Sequence, residues 1–313
     1  MIKQFNSLLD LLKTFSDEQS CIDHFTAVKW SEKKQCPHCG GSKIYHFSDN
    51  RTHKCGDCRK KFSIRVGTIF EDSKIPLQKW FMAIYLTTSH KKGISSIQLS
   101  KDIDVTQKTA WFMLHRLRHA SQTASFKAQI GGDDKIVEID ETYVGGKEKN
   151  KHSIKRTFST HGAGSLSKGT KVAVLGMIAR NGDLRMDTIE RTTTAIIKPL
   201  VLNNVSKNAI INTDEGKQYM FVRHSYKHVI VNHSNREYVR GDVYTNTIEG
   251  AFSHFKRSII GVYHHASGKH INRYLNMFAW RWNSRDMGEG QRVNALLKST
   301  VGRTLTYKTL INS

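Results

Sequence analysis

No stretch of this chain approaches the roughly 20 consecutive apolar residues that a membrane-spanning helix needs. The opening residues, MIKQFNSLLDLLKTF, have neither a long apolar core nor a small-residue cleavage site. A membrane protein and a secreted one are therefore not expected, and the sequence predicts a soluble, cytoplasmic, nucleoid-associated protein. No internal repeat is evident. Acids are scarce: 27 Asp and Glu stand against 49 Lys and Arg, a formal net charge of +22. Such an excess predicts a polyanionic partner, bound by phosphate neutralisation and counterion release. Because the positive charge recurs in every segment, a merely basic soluble protein accounts for it less well. Cysteine is sparse too, with five in 313 residues. Four fall in two CxxC pairs, and Cys21 stands alone in an amphipathic stretch. In a chain without a secretory leader this reads as a metal site plus one buried thiol, not as disulfides.

What is present suggests several modules, since 313 residues exceed one average domain. Residues 1–30 place Phe5, Leu8, Leu9, Leu12 and Phe15 at helical spacing, followed by Cys21, Ile22, Phe25 and Val28. Ser16 to Gln19 has the S-x-x-Q form of a capping box, so two short helices are expected. Residues 31–70 hold the cysteines on short strand-forming stretches, in a module with little core of its own. Residues 71–125 read as helices, closing in a polar linker. From 130 to 290 the order β-β-β-α-β-α-β-α predicts an α/β domain with three consecutive strands first, and residues 291–313 are expected to be a C-terminal tail. The basic, Gly- and Ser-rich stretch 145–169 reads as a loop.

Cys36, Cys39, Cys55 and Cys58 form CxxC-x15-CxxC, four thiolates able to close a tetrahedral Zn²⁺ site. In so small a segment the metal would supply folding free energy. His38, His46 and His53 lie nearby but are expected to face solvent, because four sulfurs leave no open coordination position.

In ISSIQLSKDIDVTQKTAWFMLHRLRHA, the residues Ile97, Leu99, Ile103, Val105, Ala110, Met113, Leu114 and Leu117 can form a two-helix apolar face. A helix-turn-helix would then put Thr106, Gln107, Lys108 and Thr109 at the start of the second helix, with Arg116 and Arg118 further along as DNA contacts. The bland alternative is an ordinary helical hairpin with solvated basic residues.

Three acids in separate segments carry the chemistry. Asp140 ends the apolar run IVEID, Asp214 ends AIINTD, and Glu249 lies on a helix opened by Thr245-Asn246, with Lys256 seven residues on and near the same face. Acids at the ends of buried strands can meet in a cleft at a sheet edge. Two Mg²⁺ or Mn²⁺ ions about 3.5–4 Å apart can clamp the attacking and leaving oxygens of an in-line phosphoryl transfer, and such ions want oxygen ligands. Asp140 would bridge, Asp214 and Glu249 would flank, and Lys256 would neutralise a phosphate. Rivals stay open: Glu138 and Glu141 beside Asp140, Glu215 beside Asp214. Asn246 rivals Glu249, since Asn246 and Glu249 also read as an N-cap and its capping-box partner. His264, His265 and His233 are further candidates, of which the pair His264-His265 could line a DNA path or serve structure; Trp280 and Trp282 read as packing residues.

Together these segments resemble the DDE transposases of bacterial insertion sequences, in particular the subgroup with an amino-terminal zinc ribbon. The likeness rests on CPHCG, CGDCRKKFSIRVGTIFEDSKIPLQKW, IDETYVGGK, TDEGKQY, VNHSNREYV, YTNTIEGAFSHFKRSIIGVYHHAS and RYLNMFAWRWNSR in that order. The resemblance implies a ribonuclease-H-like catalytic core behind a zinc ribbon at 31–70 and a helix-turn-helix region at 71–125. By it Asp140, Asp214 and Glu249 take the acidic triad positions and Lys256 the basic position beyond, with Asn246 as alternative third ligand. It also implies recognition of terminal inverted repeats, cleavage at the element's ends and strand transfer into target DNA. DNA is the expected partner, and holding two ends together calls for a homodimer or larger assembly on DNA. A nuclease without strand transfer and an inactive DNA-binding regulator are the competing readings.

Overall fold

The computed structural model describes residues 2–49, 51–122, 128–146, 171–180, 182–230 and 244–312. The chain forms two compact units, one of residues 1–123 with 284–313, the other of residues 124–283. Among the described residues no helix is long and apolar enough to cross a membrane. The basic stretch expected as a loop lies mostly outside the described residues, as does His233.

The first unit begins with α1 (Leu8–Thr14) and α2 (Glu18–Lys29). The predicted capping box is replaced by a simple N-cap, because Asp17 and not Ser16 caps α2, its carboxylate accepting from the Ser20 amide at 2.7 Å. An aspartate accepts that amide bond with a full charge at the positive helix end, which a serine hydroxyl lacks. Strands β1 (Ile44–His46), β2 (Thr52–Cys55) and β3 (Lys61–Ser63) form an antiparallel sheet in sequence order. Helices α3 (Leu77–Ser89), α4 (Ser96–Asp102) and α5 (Gln107–Ala120) follow. Phe5, Phe15, Phe25, Phe70, Trp80 and Phe81 are fully buried, and Phe15 meets Phe81 edge to face at 5.0 Å.

The C-terminal segment departs from expectation. Residues 291–313 are not a tail: α10 (Glu289–Ser299) packs on α3 and α2, and α11 (Tyr307–Asn312) buries Leu310. Val293, Leu296 and Leu297 recur at helical spacing and are fully buried, the periodic signal that marks a packed helix. Gly290 makes the contact possible, since a Cβ there would lie 2.4 Å from the Phe5 carbonyl oxygen. The α/β unit accordingly closes at Asn283, short of the expected 290.

The second unit is a five-stranded mixed sheet in the order β6-β5-β4-β7-β8. Strands β4 (Ile136–Val144), β5 (Val172–Ala179) and β6 (Leu184–Ile189) are antiparallel neighbours, while β7 (Ile210–Thr213) and β8 (Lys227–Ile230) run parallel to β4. Between them come α6 (Thr194–Asn204) and α7 (Val222–Ser225), and then α8 (Asn246–Ser258) and α9 (Ile271–Asn283). Period-two alternation sends Ala173, Leu175 and Met177 into one core with Ile197 and Val201 of α6. Val174 and Ile178 enter the other, under Ile248, Phe252 and Phe255 of α8 and Leu275 and Phe278 of α9. The sheet is thus buried on both faces, in the ribonuclease-H-like arrangement expected.

Candidate functional site

Three elements carry the acids. Asp140 lies in the middle of β4 and not at its end, because pairing with β5 continues through Val144. It is half-buried and accepts a hydrogen bond from the Glu141 amide at 2.8 Å. Asp214 directly follows β7, and its carboxylate accepts from the Gly216 amide at 3.0 Å, an Asx turn that fixes the side chain as the chain leaves the sheet. Glu249 is exposed on the first turns of α8 and accepts from the Thr245 hydroxyl at 3.2 Å. Lys256 is half-buried near the C-terminal end of α8.

The acids share one electrostatic field. Burial, followed by the carboxylates of Glu141, Asp214 and Glu249, pushes the Asp140 carboxyl up to about 7, against the opposing bond from the Glu141 amide. A group so placed gains from a cation beside it. Among the described residues, only the four cysteines bring three or more metal-binding atoms all within 4.8 Å of one another. Asp140, Asp214 and Glu249 offer carboxylate oxygens. Their donor set is hard oxygen throughout, which suits Mg²⁺ or Mn²⁺.

The neighbouring acids are engaged elsewhere. Glu141 is drawn upward chiefly by burial and accepts from Gln218 at 3.1 Å. Glu138 is fully buried and accepts four bonds: from the Thr247 amide (2.9 Å), the Ile248 amide (3.0 Å), the Thr247 hydroxyl (3.0 Å) and Arg180 Nε (2.8 Å). It is the N-terminal cap of α8, delivered from the sheet. The predicted box between Asn246 and Glu249 is absent, since Thr245 precedes the helix and Asn246 is its first residue. Gly176, paired with Asp140 across the sheet, admits the same helix: a Cβ there would lie 2.6 Å from the Phe252 ring and 2.7 Å from Ile248. Sequence reasoning weighed Glu138 only as a rival ligand and missed Gly176, for which a glycine mid-strand was the available signal.

The cysteines meet as expected. Cys36 and Cys58 sulfurs lie 3.8 Å apart and those of Cys39 and Cys55 3.6 Å apart. A tetrahedron with Zn–S bonds of about 2.3 Å has edges of about 3.8 Å, so the set fits Zn²⁺. Phe62, Ile44 and Trp30 pack around the buried Cys36 and Cys55. His38 and His46 are exposed, but His53 is buried among Trp30, His46 and Phe62, because alternation on β2 sends it inward together with Cys55.

In the helical region α4 and α5 are joined by residues 103–106, with Thr106 capping α5. Thr106, Gln107 and Lys108 are exposed and Thr109 half-buried. Gln107 donates to the Ser96 hydroxyl at 2.8 Å, and the Lys108 ammonium sits 5.5 Å from the Tyr307 ring centre. Arg116 and Arg118 must be corrected: both are buried and cannot reach DNA. Arg116 donates to the carbonyls of Ile69, Glu71 and Leu305. They lie on the core side of α5, with Met113 and Leu117. His264 and His265 are exposed beyond a π turn at Ile259–Tyr263, Trp280 is buried, and Trp282 packs near Phe278.

Residues 130–283 match the family model described as ISXO2-like transposase domain, and residues 16–61 that of a transposase zinc-ribbon domain. A protein described as an uncharacterised protein in transposable element ISH50 of Halobacterium salinarum is 28% identical over 280 residues, covering 86% of this chain and 92% of that protein. Among solved structures, a pre-cleavage Mos1 transpososome is 13% identical at a TM-score of 0.27, covering 68% of this chain and 75% of that one. The Mos1 strand transfer complex is 12% identical at 0.28, covering 65% and 70%. These two likenesses are too loose to bear on the site.

Proposed function

From its place among the ISXO2-like transposases with an N-terminal zinc ribbon, the family to which this chain belongs, we propose that it cuts DNA at the ends of its own element and joins them to target DNA. Asp140, Asp214 and Glu249 would hold two divalent cations, with Asn246 as the alternative third ligand. The observation that carries this reading is the raised Asp140 carboxyl, half-buried in β4 and in the field of the carboxylates from β7 and α8. Bound there, the ions would supply Lewis-acid stabilisation of the oxygens entering and leaving phosphorus.

The chain's own residues do the rest. Asp140 is fixed on the sheet, Asp214 is fixed by its Asx turn, and Glu249 rides on a helix whose start is anchored by Glu138. Lys256, on the same helix, supplies positive charge for a substrate phosphate. In the first step water adds to the phosphorus and the 3′ oxygen leaves, taking a proton to become the hydroxyl. In the second that hydroxyl adds to a target phosphorus and the target's own 3′ oxygen leaves, so each bond formed is matched by one broken. Thr106, Gln107, Lys108 and Thr109 at the start of α5 contact the inverted repeats, and a homodimer or larger assembly holds two ends.

The test incubates purified protein with labelled element ends and a target plasmid, with Mg²⁺ or chelator, beside Asp214→Asn. Metal-dependent joined products that vanish in the variant are expected. Binding without cleavage would refute the enzyme in favour of a regulator, and cleavage without joining would refute strand transfer.

A further inference from the structure

The outward face of the zinc-ribbon sheet is not accounted for by the metal site or the core. Alternation on β1 turns Ile44 and His46 towards Trp30 and the cysteines, and leaves Tyr45 and Phe47 in solvent, 51% and 38% exposed. Phe47 extends the strand pairing, its amide donating to the Thr52 carbonyl at 3.0 Å. Registration places Lys54 opposite Tyr45 and Lys61 opposite Lys54, so these side chains emerge on the same face. The Lys43 ammonium stands 5.9 Å from the Tyr45 ring centre and that of Lys61 5.2 Å from the Phe47 ring centre.

Among the described residues this face carries Lys43, Tyr45, Phe47, Thr52, Lys54, Lys61 and Ser63, with no carboxylate. The nearest acid in the hairpin, Asp49, lies in the turn, where its oxygens accept from the Arg51 and Thr52 amides and the Thr52 hydroxyl. Two aromatic rings two residues apart on a strand are separated by about 6.7 Å, a spacing an extended single strand can follow with one base on each ring. Ammonium groups beside the rings would meet the phosphates between them. Duplex DNA keeps its base faces stacked inside and could use only the lysines; unpaired bases use both groups.

We propose that the face formed by Tyr45, Phe47, Lys43, Lys54 and Lys61 is a stacking platform for single-stranded DNA, distinct from the acidic site and from the α4–α5 helices. Its partner is unpaired nucleotides of the kind exposed beside a cut or distorted end. Binding here needs no cleavage or joining, so this proposal and the proposed activity can fail separately.

The experiment measures anisotropy of a fluorescein-labelled 15-nucleotide oligo-dT and of a duplex of equal length with the zinc-loaded full chain. Variants are Tyr45→Leu with Phe47→Leu, and Lys43→Gln with Lys54→Gln and Lys61→Gln. Stacking contributes about 1–3 kcal/mol per base, or about 5- to 150-fold, so the leucine pair should weaken single-strand binding at least about 10-fold and leave duplex binding within about 2-fold. The glutamine set should weaken both and flatten the salt dependence. Zinc content and thermal melting confirm that each variant is folded. Unchanged single-strand affinity in the folded leucine variant would overturn the platform. Equal losses for single strand and duplex would also overturn it, because the face would then read phosphates alone.

Discussion

Removing the Glu138 carboxylate tests how the third acid is held. Its four bonds join β4 to α8 and neutralise Arg180, all with the carboxylate fully buried. Glu138→Ala strips the partner from a buried ion pair, which costs about 3–5 kcal/mol; losing the α8 cap alone would account for about 0.5–2 kcal/mol of that. The lower half is expected, because Arg180 keeps the Tyr244 carbonyl at 3.1 Å and lies 3.6 Å from the Tyr244 ring centre. Glu138→Gln retains an acceptor but not the charge, so a loss of about 1.5–3 kcal/mol follows from the value of charged hydrogen bonds. Hydrogen exchange is the suitable assay, because a chain of two units need not unfold in one step. Protection of the Thr247 and Ile248 amides should fall by the full amount, while amides of α3, in the other unit, stay as they were. A folded Glu138→Ala protein with these two amides protected to within about 1 kcal/mol of the parent would refute the cap.

The other predictions touch separate parts of the molecule. Stripping zinc, or Cys39→Ser, should unfold β1–β3 while the unit of residues 124–283 keeps its structure, as read by zinc content and exchange of the strand amides; strands that stay protected without zinc would contradict a folding role for the metal. Gly176→Ala forces a methyl to 2.6 Å from Phe252 and should destabilise the second unit by about 1–3 kcal/mol, with strand transfer falling too; an unchanged melting temperature would show that α8 yields freely. His24 is held neutral by burial, with Lys3 acting the same way and the bond to Asn294 opposing, so its native pKa is lowered. The unfolded chain then binds the proton more readily, and its contribution to stability is whole above about 6.5 and shrinks as pH falls below that value. Urea titrations should show a shallower pH slope for His24→Gln than for the parent, and equal slopes would refute the assignment.

The catalytic fold was legible because its signals are local. Strands β4 and β5 announce themselves as apolar runs, and α8 shows a strong amphipathic stripe through Ile248, Phe252 and Phe255. The cysteine spacing likewise fixes its own geometry. The carboxyl terminus was misread for the opposite reason: Val293, Leu296 and Leu297 form a short stripe with nothing nearby to cover it, and its partners α2 and α3 lie more than 200 residues earlier. Arg116 failed similarly. A basic side chain on a helix usually faces water, and only the carbonyls of Ile69, Glu71 and Leu305, brought together by folding, give it a buried place.

The same distinction governs the site. Spacing could nominate Asp140, Asp214 and Glu249, but it could not separate Glu138 from Asp140, since both are acids on one face of one strand. What separates them is the partner each finds. Glu138 meets two helix amides and an arginine, whereas Asp140 accepts from the Glu141 amide and is raised by burial and, after it, by the carboxylates of Glu141, Asp214 and Glu249. A buried acid answered by donors holds a structure together, whereas one surrounded by its own kind asks for a cation. That contrast also bears on Glu249. With Glu138 capping α8, Glu249 takes no part in a capping box, and its carboxylate accepts from the Thr245 hydroxyl.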